Sequence, residues 1–213
     1  MNRKLLLTLL LVSILTSCTK KPGTLTGNVY WKYNDYVGNK PDASSKVNLY
    51  SITDKNITFE TSTDVAGNYK IEEIPPGKYL LVIRSGNTTD SPKDHLNNLS
   101  NHAIDIKTVF GFDIQTLKKE IKEIDNLEQE YQDVLVSEDK GTYESLTRKI
   151  DKYEKIKKEF ENKSSNLISK FPSDFKSKID LYSGYDKSLH FANIEIKEQK
   201  TTNENVDFGI TYR

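Results

Sequence analysis

The sequence predicts a mainly β protein: a sandwich of short strands carrying an inserted antiparallel pair of helices. Three observations predict this. Apolar and polar residues alternate with a period of two from Leu25 to Arg84 and again from His190 to Tyr212. Turn-forming residues punctuate these runs at intervals of about 8–12 residues, the rhythm of a sandwich or barrel. Between about Phe112 and Phe171 the apolar spacing changes to three and four, which is the period of a helix with one apolar face.

The start of the chain reads as an export signal. Arg3 and Lys4 precede an apolar run, Leu5 to Leu15, broken only by Thr8 and Ser13, and Leu15-Thr16-Ser17-Cys18 follows. The run is too short for a transmembrane helix, which needs about 20 residues. Cys18 is the only cysteine, so no internal disulfide can form and the thiol needs another explanation. Leu15-Thr16-Ser17-Cys18 resembles the lipobox of bacterial lipoproteins. The resemblance implies cleavage before Cys18, with lipid on its sulfur and on the new amino terminus. Residues 1–17 are then a signal peptide and 18–24 a lipidated tether. In lipoproteins of the Bacteroidetes type, acidic residues just after the cysteine mark surface display; here Lys20 and Lys21 stand in that place. The expectation is an outer-membrane anchor facing the periplasm.

Leu25, Gly27, Val29, Trp31 and Tyr33 fall on one face of a first strand, with Thr26, Asn28, Tyr30 and Lys32 on the other. Asn34 to Lys46 reads as a loop, with Gly38, Pro41 and a serine pair. Val47, Leu49 and Ser51 mark a second strand, and Ile57, Phe59 and Thr61 a third. In "TDVAGNYKIEEIPPGKYLLVI", residues 63 to 83, two turns flank the strand begun by Tyr69, and Tyr79 to Ile83 forms another.

Leu117, Ile121, Ile124, Leu127, Tyr131 and Val134 form one helical stripe; Tyr143, Leu146, Ile150, Tyr153, Ile156 and Phe160 form a second. Acid-before-base pairs such as Glu144 with Arg148 support helix in the second arm. Arms of roughly 25 residues would reach about 35–40 Å. Pro172 ends the second arm, Ser173 to Ser188 reads as a loop, and strands return at His190 and Val206. The sandwich is thus assigned to 25–111 and 172–213, and the helical hairpin to 112–171.

Gly27-Asn28-Val29, Val47-Asn48-Leu49, Thr63-Asp64 with Gly67-Asn68-Tyr69, and Ile74-Pro75-Pro76-Gly77-Lys78-Tyr79 together resemble the carboxypeptidase regulatory-like domains. The likeness covers Leu25 to about Ser85, and Val206 to Ile210 looks like that fold's closing strand. It implies a prealbumin-like, Greek-key β-sandwich, used as a structural, adhesive or glycan-binding module, and leaves activity open.

Removing residues 1–17 leaves 29 Lys and Arg against 31 Asp and Glu, about −2 overall. Such a chain has no field suited to gathering nucleic acid. Asp64 with Gly67 and Asn68 could be a calcium loop, but offers a single carboxylate, so turn chemistry is the stronger reading. His95, His102 and His190 stand in no zinc-ligand spacing, and no nucleophile elbow or phosphate-cradling loop is present. No cofactor or metal is expected. A hydrolase site assembled only in three dimensions stays open as a minor reading.

The aromatic residues suggest a second function. Trp31 and Tyr33 share the face of Val29 and are expected in the core, whereas Tyr30, Tyr36, Tyr182 and Tyr185 could form an exposed sugar-stacking platform. The main reading is a non-catalytic, lipid-anchored envelope module that docks a protein partner through its helices. The alternative is a carbohydrate-binding lipoprotein.

Overall fold

The structure, a computed structural model, describes residues 20–138, 141–179 and 187–210. Two β-sheets face each other as a sandwich, and helices cover the outer face of one of them. The first sheet is built on β1 (Gly23–Asn34). Along its first half β1 pairs with β5 (Asn68–Ile74) and β8 (Thr201–Asn203); along its second half it pairs with β2 (Gly38–Pro41) and β9 (Val206–Ile210). The pairings with β2 and β5 are antiparallel, those with β8 and β9 parallel. The second sheet is antiparallel in the order β4 (Thr58–Ser62), β3 (Lys46–Ser51), β6 (Gly77–Thr89), β7 (Lys187–Ile196).

Side-chain alternation explains the layers. Leu25 and Val29 of β1, Val47 and Leu49 of β3, and Leu81 and Ile83 of β6 meet between the sheets in one apolar core. The intervening residues Tyr50, Leu80 and Val82 point the other way, into a second core shared with the helices. The second sheet is therefore buried on both faces, which is why Tyr79 to Ile83 is a continuous apolar run rather than an alternating one.

The helical layer occupies the chain between β6 and β7. It comprises α1 (Pro92–Asn101), α2 (Ala103–Phe110), a 3-10 turn (Ile114–Leu117), α3 (Lys118–Val136), α4 (Tyr143–Ser169) and α5 (Ser173–Ile179). Helical structure thus begins some twenty residues before the boundary drawn at 112 and continues past Pro172. Ser91 caps α1 by accepting from the Asp94 amide, Pro92 suits its first turn, and Gly111 closes α2 in the left-handed conformation.

Two further sequence readings need correction. The segment Asn34–Lys46 contains β2. Trp31 is only half-buried and Tyr33 is exposed, because burial along β1 falls off after Val29, toward the turn into β2.

The turn before β5 shows why its glycine is there. Gly67 has φ +78°, and a Cβ there would lie 2.3 Å from the carbonyl oxygen of Val29. Gly67→Ala combines left-handed strain with that collision. We expect it to lower stability by about 2–3 kcal/mol, read as a fall in the urea midpoint at unchanged slope.

Candidate binding surfaces

Hydrogen bonds and register define two ends of the molecule. At the near end, where the described chain enters, Gly23 lies opposite Ile74, Gly77 lies opposite Ile196, and the Ile52 amide donates to Lys78. At the far end lie the β1–β2 turn at Asn34 to Gly38 and the pairing of Thr89 with Lys187.

The helices can be placed against these ends. α1 starts at the far end and runs back alongside β7: the Asn98 side chain donates to the Leu189 carbonyl, His102 stacks on Phe191 at 5.1 Å, and Asn193 donates to Asp105 at 3.2 Å. α3 then returns toward the far end, bringing Asp125 within 3.5 Å of Lys93. Glu128 is buried, and its carboxylate accepts from the Lys93 amide at 3.1 Å, so α3 caps the amino terminus of α1. Burial pushes the Glu128 carboxyl up from its ordinary range, opposed by bonds from Ser91 and the Lys93 amide.

Beyond Glu128, α3 continues to Val136, about 12 Å past the level where α1 begins. α4 runs antiparallel beside it. Lys170 pairs with Glu120 at 3.0 Å near the foot, Tyr131 packs on Tyr153 and Phe160, and Lys149 donates to the Ser137 carbonyl at 2.6 Å at the top. Phe160, Ser164 and Leu167, successively four and three residues apart along one buried face, fill the seam between the two helices. The same face continues through Tyr153, Ile150, Leu146 and Tyr143.

There the seam loses its partner, because α3 has ended. Tyr143 is 85% exposed, Ile150 52% and Val136 81%, and Leu135 and Leu146 are also exposed. The first two turns of α4 therefore carry an apolar stripe at helix–helix spacing that no helix covers among the described residues. Sequence periodicity found this stripe but could not tell its covered part from its bare one.

The aromatic residues singled out from sequence are only partly brought together. Tyr36 is wholly exposed at the far-end turn, where the Asn34 side chain accepts from the amides of Tyr36 and Val37. Tyr30 is half-buried on the outer face of β1, while Trp31 and Tyr33 form an edge-on pair at 5.8 Å. Tyr182, Tyr185 and Cys18 lie outside the described residues.

The acidic turn spends its carboxylate on architecture. Asp64 Oδ1 accepts from the amides of Ala66 and Asn68, at 2.8 and 2.9 Å, and the bond from Asn68 holds its carboxyl below the usual range. His102 and His190 take part in loose pairs with Asp105 and Glu204 at 3.5 and 3.7 Å, and His95 is buried in α1. Among the described residues no group of three or more His, Cys, Asp or Glu side chains is placed to hold a metal ion.

No family model matches the chain, and no curated protein sequence matches it. Among solved structures it is similar to a candidate carbohydrate binding protein from Pseudomonas aeruginosa, 17% identical with a TM-score of 0.26 over 37% of this chain and 72% of that one. It is also similar to the minor pilin of the gram-positive pathogen Streptococcus agalactiae, 10% identical with a TM-score of 0.38 over 92% of this chain and 47% of that one. The chain thus spans about half the length of that pilin. Likenesses this slight carry no argument about function.

Proposed function

We propose that the chain is a non-catalytic, lipid-anchored module of the cell envelope that docks a protein partner through the tip of α3 and α4. In this reading the sandwich is prealbumin-like, α3 and α4 are a helical hairpin inserted between β6 and β7, and Cys18 carries the lipid that holds the module to the outer membrane, facing the periplasm. The observation that carries the reading is the unfilled seam on α4, at the end of the molecule opposite to the tether. Lower on α4 the same stripe is filled by a helix. The partner is accordingly an amphipathic helix of another envelope protein, continuing along the path that α3 leaves at Val136.

A carbohydrate-binding reading rests on exposed Tyr36 beside the Trp31–Tyr33 pair at the far-end turn. The two are separated by placing a photo-crosslinking residue at position 150 or at position 36 in cells that make the protein. Position 150 is expected to yield a discrete protein adduct, lost on Tyr143→Lys with Leu146→Lys, and position 36 none. Those substitutions lie on exposed turns, and folding is checked by an unchanged melting temperature. No adduct at 150, or one insensitive to the lysines, overturns the docking reading.

A further inference from the structure

We infer that the near end of the sandwich is a contact face for anionic lipid headgroups, and that it holds the module upright on the membrane. The inference rests on the lipid-anchor reading. Its geometric basis is that the chain leaves the fold at this end and is fastened there. The Gln199 amide donates to the Pro22 carbonyl at 3.2 Å, and the Thr24 amide to the Lys200 carbonyl at 3.0 Å. At Gly23 a Cβ would lie 2.6 Å from the Lys197 carbonyl oxygen, so the backbone can approach the turn after β7 this closely only without a side chain.

With Pro22 fastened, only the stretch from Cys18 to Lys21 separates the fold from an acylated Cys18, a reach of about 14 Å when fully extended. The surface that meets the bilayer is thereby limited to the tether and the loops beside it: β3–β4, β5–β6 and β7–β8. These carry Lys20, Lys21, Lys55, Lys78, Lys197 and Lys200, all exposed. The acids among them are Asp54, Glu73, Glu195 and Glu198, and Glu195 is engaged by Lys197 at 3.6 Å and lies opposite Lys78 in register. The end therefore has a positive excess on a chain that is about −2 from Cys18 onward. Clusters of four to eight lysines within roughly a Debye length of an anionic leaflet bind it by charge. The consequence is orientation: the far end, with the bare seam on α4, points away from the membrane.

The test uses protein extracted from the membranes of producing cells and placed in nanodiscs of zwitterionic lipid alone or with about one third anionic lipid. Amide exchange is followed at residues 54–56 and 198–200. We expect exchange there to slow about tenfold in the anionic discs, with the slowing abolished by about 0.5 M salt. The combined variant Lys55→Gln, Lys78→Gln, Lys197→Gln and Lys200→Gln is expected to lose it, and the far-end control Lys40→Gln with Lys152→Gln to keep it. Equal exchange in both discs, or equal loss in the control, overturns the inference. The mass of the amino-terminal peptide reports separately on the anchor. If Cys18 carries no acyl group in cells, the anchor reading fails, and coupling a maleimide lipid to this sole thiol still tests the surface by the same exchange measurement.

Discussion

Asp42→Ala is expected to lower folding stability by about 3–5 kcal/mol, among the largest effects of any single polar substitution here. Asp42 has no exposed surface, although it sits in a connection, between β2 and β3. One carboxylate oxygen accepts from the Ser85 hydroxyl and the other from the Asn87 side chain. Its backbone carbonyl accepts from the hydroxyls of Thr63 and Ser45, and its amide donates to the Val29 carbonyl at 2.9 Å. Ser85 Oγ in turn accepts from the amides of Asn87 and Thr88. The residue thus ties β1 of one sheet to the ends of β4 and β6 in the other. Alanine would leave the buried Ser85 hydroxyl without its acceptor, release the exposed Asn87 side chain, and open a cavity in place of the buried carboxylate. Urea unfolding should show a lower midpoint at unchanged slope, with Ser85→Ala costing about 1–2 kcal/mol. A loss below about 1 kcal/mol for Asp42→Ala would mean that the network does not fasten the sheets.

The contrast between Asp42 and its surroundings shows which features are legible in a sequence. Strands β3, β5 and β6 could be located because their pattern is a local consequence of facing a core, and the stripes of α3 and α4 for the same reason. A buried aspartate in a segment rich in Pro, Ser and Asp looks like any solvated loop, since its burial is decided by residues 21 and 43 positions away. Helices α1 and α2 are a different case. Ser91-Pro92 with Asp94 is a start signal, Leu96, Leu99, Ala103 and Ile106 keep helical spacing, and Gly111 is a stop. The assignment of 25–111 to the sandwich passes over these signs. Trp31 and Tyr33 show the reverse error: alternation assigns them a face, but only what packs opposite determines whether that face is covered. The bare seam on α4 has the same logic, for periodicity cannot reveal where a neighbouring helix stops.

Acidification should weaken the helical layer through one residue of α1. His95 is almost wholly buried, and neither ring nitrogen has a hydrogen-bond partner among the described residues. Burial pushes its pKa down to about 4, against a smaller opposing pull from Asp90. Unfolding returns the imidazole to its ordinary value near 6.5, so the unfolded chain binds the extra proton first. The stability that depends on a neutral His95 is therefore complete above about pH 6.5 and lost progressively as pH falls toward 4, by about 3 kcal/mol in all. His190, whose pKa is also lowered chiefly by burial, acts in the same direction. Glu128 acts in the opposite one, because a carboxyl raised in the fold takes up its proton more readily folded than unfolded. A difference measurement separates His95 from both: urea unfolding of the parent and of His95→Leu at pH 7, 6, 5 and 4. The parent should lose stability relative to the variant by about 3 kcal/mol across that range, the gap opening between pH 6.5 and 4. Parallel curves would show that the imidazole finds a proton acceptor or water inside the fold, and that α1 is not the acid-sensitive element.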